Sequence, residues 1–155
     1  MMLLDPADQF HVGIVVDDFE TSRSWFEDVL GYQFGPDMEL EYTMLTPDGP
    51  VTYDQRLQYS VTLPRIELVR AAPGTPFQPS TSGLHHFGYW CADVERTSKL
   101  LVERGWTWEC GGLMPDGAPA WAYHFDPLGV RIELVSTAML GLGIEMLWTA
   151  PPASS

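Results

Sequence analysis

Apolar positions along the chain alternate between two rhythms. Short apolar runs, Phe10 to Val16 and Phe87 to Cys91, have the length and β-branched or aromatic content of strands. Each is followed by an acidic pair or single aspartate suited to a turn or helix N-cap, and then by helical spacing, through SRSWFEDVLG in the first case and TSKLLVERG in the second. Both helical patterns stop at a glycine, Gly31 and Gly105, where a left-handed C-terminal residue is expected. Aromatic residues then open what reads as the next strand, YQF after Gly31 and WTW after Gly105. Within the first strand His11, Gly13 and Val15 share one face while Val12, Ile14 and Val16 share the other.

The two rhythms form a repeat. HVGIVVDDFE, from His11 to Glu20, aligns without a gap on HFGYWCADVE, from His86 to Glu95, with His, Gly, Asp and Glu identical. RIELV occurs at Arg65 to Val69 and again at Arg131 to Val135, each time after a Pro- or Gly-marked turn. The order predicts an α+β fold of two tandem βαβββ modules in one cupped mixed β-sheet, a single domain. Module 1 spans about 8–71, a Pro-, Ser- and Gly-rich linker about 72–83, module 2 about 84–137 and a tail 138–155. Pro115, Gly117 and Pro119 mark a loop in module 2, and the terminal PPASS is expected to fray.

Composition narrows the partners. The 155 residues carry a net charge of −13 and only 8 basic side chains, thinly spread, so no patch can neutralise a run of phosphates. Nucleic acid and acidic membrane surfaces are therefore not expected partners, whereas a small-molecule substrate is. Cys91 and Cys110 form no CxxC or CxxxH pattern and read as reduced thiols. MMLLDPADQF lacks the basic and apolar regions of a signal peptide, and no apolar run could span a bilayer, so the expected location is the cytoplasm.

Candidate chemistry lies in the repeated His and Glu. Glu67 sits mid-strand between Ile66 and Leu68, and Glu133 repeats that placement between Ile132 and Leu134. A carboxylate there needs water or a partner, because burying an unpaired charge is costly. An arginine such as Arg65 or Arg131 is one possible partner. The other is a metal: packed about a pseudo-two-fold axis, His11, Glu67, His86 and Glu133 would converge on one divalent ion, and two imidazoles with two carboxylates suit Zn, Ni, Co, Mn or Fe. The register of the repeat selects His86 over His85, which should then point the other way. Trp121 and Tyr123 share a strand face and read as core or pocket wall; His124, on the opposite face, fits a shuttle, a supporting donor or an exposed residue.

At HVGIVVDDFETSRSWFEDVLG, IELV, GLHHFGYWCADVE and FDPLGVRIELV the chain resembles the vicinal oxygen chelate superfamily, which includes glyoxalase I, methylmalonyl-CoA epimerase, extradiol dioxygenases and fosfomycin-resistance proteins. The resemblance runs from about Phe10 to Ser136. It implies metal ligands at His11, Glu67, His86 and Glu133, in an order similar to bacterial glyoxalase I. HVGIVV, IELVRAAPGTPF and GLHHFGYW are closer to methylmalonyl-CoA epimerases, which often have glutamine where this chain has Glu67. The implied activity is that of a metal-dependent lyase or isomerase of glyoxalase or epimerase type. Such an enzyme chelates adjacent oxygens of a small substrate and stabilises an enolate, with Glu133 or Glu67 as the base. The alternatives are an Fe(II)-dependent extradiol-type dioxygenase and a non-catalytic binding or resistance protein. No basic cluster for CoA stands out. A homodimer is expected, with the apolar tail from Ala138 to Trp148 as a candidate cover for its interface, and the modules pairing either within a chain or across two.

Overall fold

The computed structural model describes residues 2–150. The first half contains β1 (Gln9–Val16), α1 (Phe19–Asp28), β2 (Met38–Thr46), β3 (Gly49–Tyr59) and β4 (Ile66–Arg70). The second contains β5 (His86–Cys91), α2 (Val94–Glu103), β6 (Thr107–Leu113), β7 (Pro119–Phe125) and β8 (Arg131–Ser136). A short helix α3 (Ala138–Gly141) and a 3-10 segment (Ile144–Trp148) complete the described chain; PPASS lies outside the described residues.

Local chemistry sets the helix ends. The Asp18 and Asp93 carboxylates accept hydrogen bonds from the Thr21 and Arg96 amides, so both helices begin one turn before the apolar spacing alone places them. Gly31 (φ 74°) and Gly105 (φ 89°) close them in the left-handed region, and the amides of these two glycines bond back to the Glu27 and Val102 carbonyls. Beyond these glycines the two halves differ. Thr107 opens β6 within the WTW segment, but Tyr32–Phe34 forms no strand beyond one bridge from Phe34 to Ser60. There the Tyr32 amide returns to the Phe26 carbonyl, and both rings meet the Phe26 edge, which holds the segment against α1. Pro36, which has no N–H for a ladder bond, separates it from β2.

The eight strands form a closed barrel in the order β1-β4-β3-β2-β6-β7-β8-β5. The expected cup is thus a ring. β1/β4 and β5/β8 are parallel, and the other pairings are antiparallel. The halves join within one chain, firmly at β1/β5 and by the single pair Leu45–Gly111 at β2/β6.

Burial falls into two layers. One lines the barrel interior and includes Val15, Met44, Leu57, Val69 and Tyr123; the other lies between α2 and the outer sheet face and includes Val94, Leu101, Ile132 and Leu134. Leu68 and Leu134 are fully buried, each worth roughly 1.5–3 kcal/mol. The segment between the halves also packs, inserting Phe77 (3% exposed) into the interior layer. The tail lies over its own barrel: Leu147 and Trp148 pack on the interior layer, and the Trp148 ring meets Phe10 and Tyr59. Gly35 permits that approach, because a Cβ there would lie 2.1 Å from the Leu147 carbonyl oxygen.

Candidate metal centre

β4, β1, β5 and β8 are consecutive in the ring, so the repeated motifs meet in the interior. Gly13 is in register with Glu67 on one side and His86 on the other, while Gly88 is in register with Glu133 and His11. The four expected side chains, each at most 6% exposed, offer ligand atoms all within 4.8 Å of one another. His11 Nε2 is 3.1 Å from His86 Nε2, 3.4 Å from Glu67 Oε2 and 3.0 Å from Glu133 Oε2. His86 Nε2 is 3.1 Å from Glu67 Oε2 and 3.3 Å from Glu133 Oε2.

The glycines of the two His-x-Gly motifs explain how the rings fit. A Cβ on Gly13 would lie 1.8 Å from His86 Cε1, and one on Gly88 would lie 2.0 Å from His11 Cε1. Each half supplies the space that the other half's histidine fills.

The donor set fits a divalent ion. Donor atoms sharing metal bonds of ~2.1 Å sit roughly 3.0–3.4 Å apart at the corners of an octahedral or tetrahedral shell. All five of these separations fall in that range. Glu133 Oε2 is buried and, despite its closeness to both rings, makes no hydrogen bond of acceptable geometry. The two arginines of the RIELV motifs are engaged elsewhere and do not neutralise the glutamates. Arg65 donates to the Ser60 carbonyl and covers the Trp148 ring, and Arg131 pairs with Glu109 at 2.6 Å.

His85 does not point away. It precedes β5, its amide bonding to the Gly13 carbonyl, and its ring turns back to the interior against Phe77 and Tyr123. Its Nε2 lies 2.8 Å from the Pro76 carbonyl oxygen, which can only accept, so that nitrogen carries the proton. Burial, helped by the neighbouring His86, pushes the His85 pKa down to about 3, leaving the ring neutral with Nδ1 as an acceptor. His86 Nδ1, 2.9 Å away, must therefore donate, which turns the lone pair of a neutral His86 at Nε2 toward the carboxylates.

Without a metal the cluster holds protons instead. Burial by itself would lower His11, but the adjacent Glu133 and Glu67 carboxylates outweigh it and lift the pKa to about 9; His86 is raised for the same reason. Burial would raise Glu67 and Glu133, yet the two histidines hold both below the usual carboxylate range. At pH 7 an incoming ion must displace the His11 proton, and the His86 proton wherever that ring is also charged, so metal affinity is expected to rise at least about tenfold per pH unit from pH 7 toward 9 and level off above. Competition against a chromophoric chelator across that range measures it. A flat profile would show that His11 is already neutral at pH 7.

A cavity of about 240 Å³ reaches Glu67 and Glu133, the two carboxylates, and not the histidines. Tyr42, Leu57, Phe77, Trp121 and Tyr123 form much of its wall, and Leu142, Ile144 and Leu147 of the tail form part of its rim. The Trp121 indole N–H donates to the Tyr42 hydroxyl at 3.1 Å, and Tyr123 Oη is 3.5 Å from His86 Nε2. Trp121 and Tyr123 are thus wall and core together. Tyr59, Phe77 and the tail are cavity residues that sequence reasoning missed. Tyr59 had one usable signal, its place at the end of a strand that returns to RIELV, where it pairs with Glu67. His124 belongs to the outer layer: it is fully buried, bonded to Ser98 Oγ at 2.7 Å and pushed down to about 4 by burial, neither exposed nor part of the centre.

Residues 10–125 match the Glyoxalase/Bleomycin resistance protein/Dioxygenase superfamily. Three solved structures share the fold. A methylmalonyl-CoA epimerase from Mycobacterium tuberculosis is 19% identical, with 92% of this chain and 97% of that one covered and a TM-score of 0.55. A hypothetical protein from Bacillus halodurans is 17% identical over 83% and 93%, with a TM-score of 0.57. A methylmalonyl-CoA epimerase from Streptomyces coelicolor, solved with 2-nitronate-propionyl-CoA, is 15% identical over 84% and 97%, with a TM-score of 0.53. A search of curated protein sequences found no match.

Proposed function

The chain belongs to the Glyoxalase/Bleomycin resistance protein/Dioxygenase superfamily, and on that premise we propose that it is a metal-dependent isomerase or lyase of epimerase or glyoxalase type. The observation that carries this reading is the buried set His11, Glu67, His86 and Glu133 at the end of a cavity whose only charged lining residues, among those described, are the two glutamates. A divalent ion held there supplies Lewis acidity toward two adjacent substrate oxygens and stabilises negative charge on them once a neighbouring C–H is deprotonated. The protein's own groups do the rest. Glu133, one of the two carboxylates that line the cavity, takes the carbon-bound proton and returns it. His85 keeps the His86 ring oriented, and the apolar walls exclude water from the deprotonated intermediate.

A homodimer is part of this reading. The tail is already used on its own barrel, and α1 with the turn that follows it leaves Trp25, Val29 and Leu30 60–69% exposed as an apolar surface for a second copy.

The test is metal content per chain after purification without chelator, followed by exchange of the carbon-bound hydrogen of an α-hydroxy ketone in D2O, read by NMR. About one ion per chain, with exchange only in the loaded protein, is the expected result. No uptake of Zn, Ni, Co, Mn or Fe(II) would sink the proposal. Oxygen consumption with a catechol and Fe(II), without exchange, would replace it by the dioxygenase reading.

A further inference from the structure

We infer that the substrate is a compact, uncharged molecule, an apolar body carrying two adjacent oxygens, and not a CoA thioester or other phosphorylated compound; this rests on the metal-centre reading. The cavity of about 240 Å³ has room for a ring-sized body with its two oxygens. Its polar groups other than the glutamates are neutral: Gln55 and the hydroxyls of Tyr42, Tyr59 and Tyr123.

The charge count agrees. Two carboxylates, a divalent ion and two neutral imidazoles sum to zero, so a neutral substrate enters a balanced site and leaves it one negative charge to stabilise during reaction. A phosphorylated handle would add charge with nothing to meet it. Among the described residues no Lys, Arg or His lines the cavity, and its exposed lining residues Leu113 and Leu142, 49% and 63% exposed, are apolar. Five of the eight basic side chains are held in ion pairs away from the cavity: Arg23 with Glu20, Arg56 with Asp37, Arg70 with Glu39, Lys99 with Glu95 and Arg131 with Glu109. The net charge of −13 opposes a polyanion at longer range as well. The structural relative from Streptomyces coelicolor was solved with a CoA compound. On this chain the tail residues Leu142, Ile144 and Leu147 line the cavity, held there by the Trp148 contacts and the close approach at Gly35.

Calorimetric titration of the zinc-loaded protein with α-hydroxyacetophenone and with propionyl-CoA, alongside a zinc titration of the metal-free protein, separates the two claims. The hydroxy ketone is expected to bind at least about tenfold more tightly than the thioester. Leu142→Arg, a surface change at the mouth, is expected to narrow that gap by strengthening the thioester. Absence of zinc uptake would count against the metal-centre reading itself. Uptake of zinc with equal or tighter binding of propionyl-CoA, or with no binding of the hydroxy ketone at millimolar concentration, would overturn the inference while leaving that reading intact.

Discussion

Gly88→Ala is expected to give a folded barrel whose affinity for a divalent ion is lower by at least about a hundredfold. The added Cβ would lie 2.0 Å from His11 Cε1 and 2.3 Å from His11 Nδ1, far inside van der Waals contact. Neither side can yield cheaply. β5 is held between β1 and β8, and the His11 ring is 2% exposed and meets Phe10 and Tyr59. Overpacking of this kind costs about 1–3 kcal/mol, which a barrel survives. A displaced ligand is more serious: loss of a group that merely orients a ligand costs about 10–100-fold in metal affinity, and moving the ligand itself costs more. Gly13→Ala should act the same way through His86. Circular dichroism with a metal titration reads both properties. Gly88→Ala combined with His11→Gly should recover thermal stability without recovering metal, which separates the lost ligand from general damage. Undiminished metal uptake by Gly88→Ala would refute this account of the packing.

Glu133→Gln should slow C–H exchange by about a thousandfold while lowering metal affinity far less, because glutamine keeps the shape and an oxygen donor but cannot take a proton; general-base loss falls in the range of about 10²–10⁴. Glu67→Gln should slow exchange less than Glu133→Gln does. Both carboxylates lie within 3.4 Å of both imidazole Nε2 atoms, so the assignment of Glu133 as the base is the part of the proposal that these two variants test. Exchange rates measured at saturating metal for both variants decide the matter. Equal losses would remove the asymmetric assignment, and a larger loss at Glu67 would reverse it.

Much of this was legible in the residues because the repeat carries it. Strand, helix and strand order followed from apolar spacing, and two copies of His-x-Gly and RIELV marked the same positions twice. What could not be read lies in contacts between distant segments. The glycines stood out as identities, but their purpose depends on β1 and β5 lying in register, which no local pattern specifies. His85 was assigned by strand alternation, a rule that stops at the strand end one residue later. Phe77 sits in a segment with linker composition and is buried by tertiary packing. The tail looked like an interface cover because its apolar residues are evident and its target is not. Closure of the ring at one residue pair, Leu45 with Gly111, leaves almost no trace in sequence either.

The exchange of space between Gly13 and His86, and between Gly88 and His11, also bears on how such a chain can change over generations. A half expressed alone would carry a ring without its socket and a socket without its ring. Two copies of one half could still complete both fits, if they met along the same seam, so the geometry is open to a duplicated ancestor. After fusion the two motifs are bound to each other: a side chain gained at either glycine displaces the histidine across the seam, and with it the ion, while the barrel persists. Selection for the ion therefore holds all four positions together, and once the ion is dispensable they are free to drift as pairs.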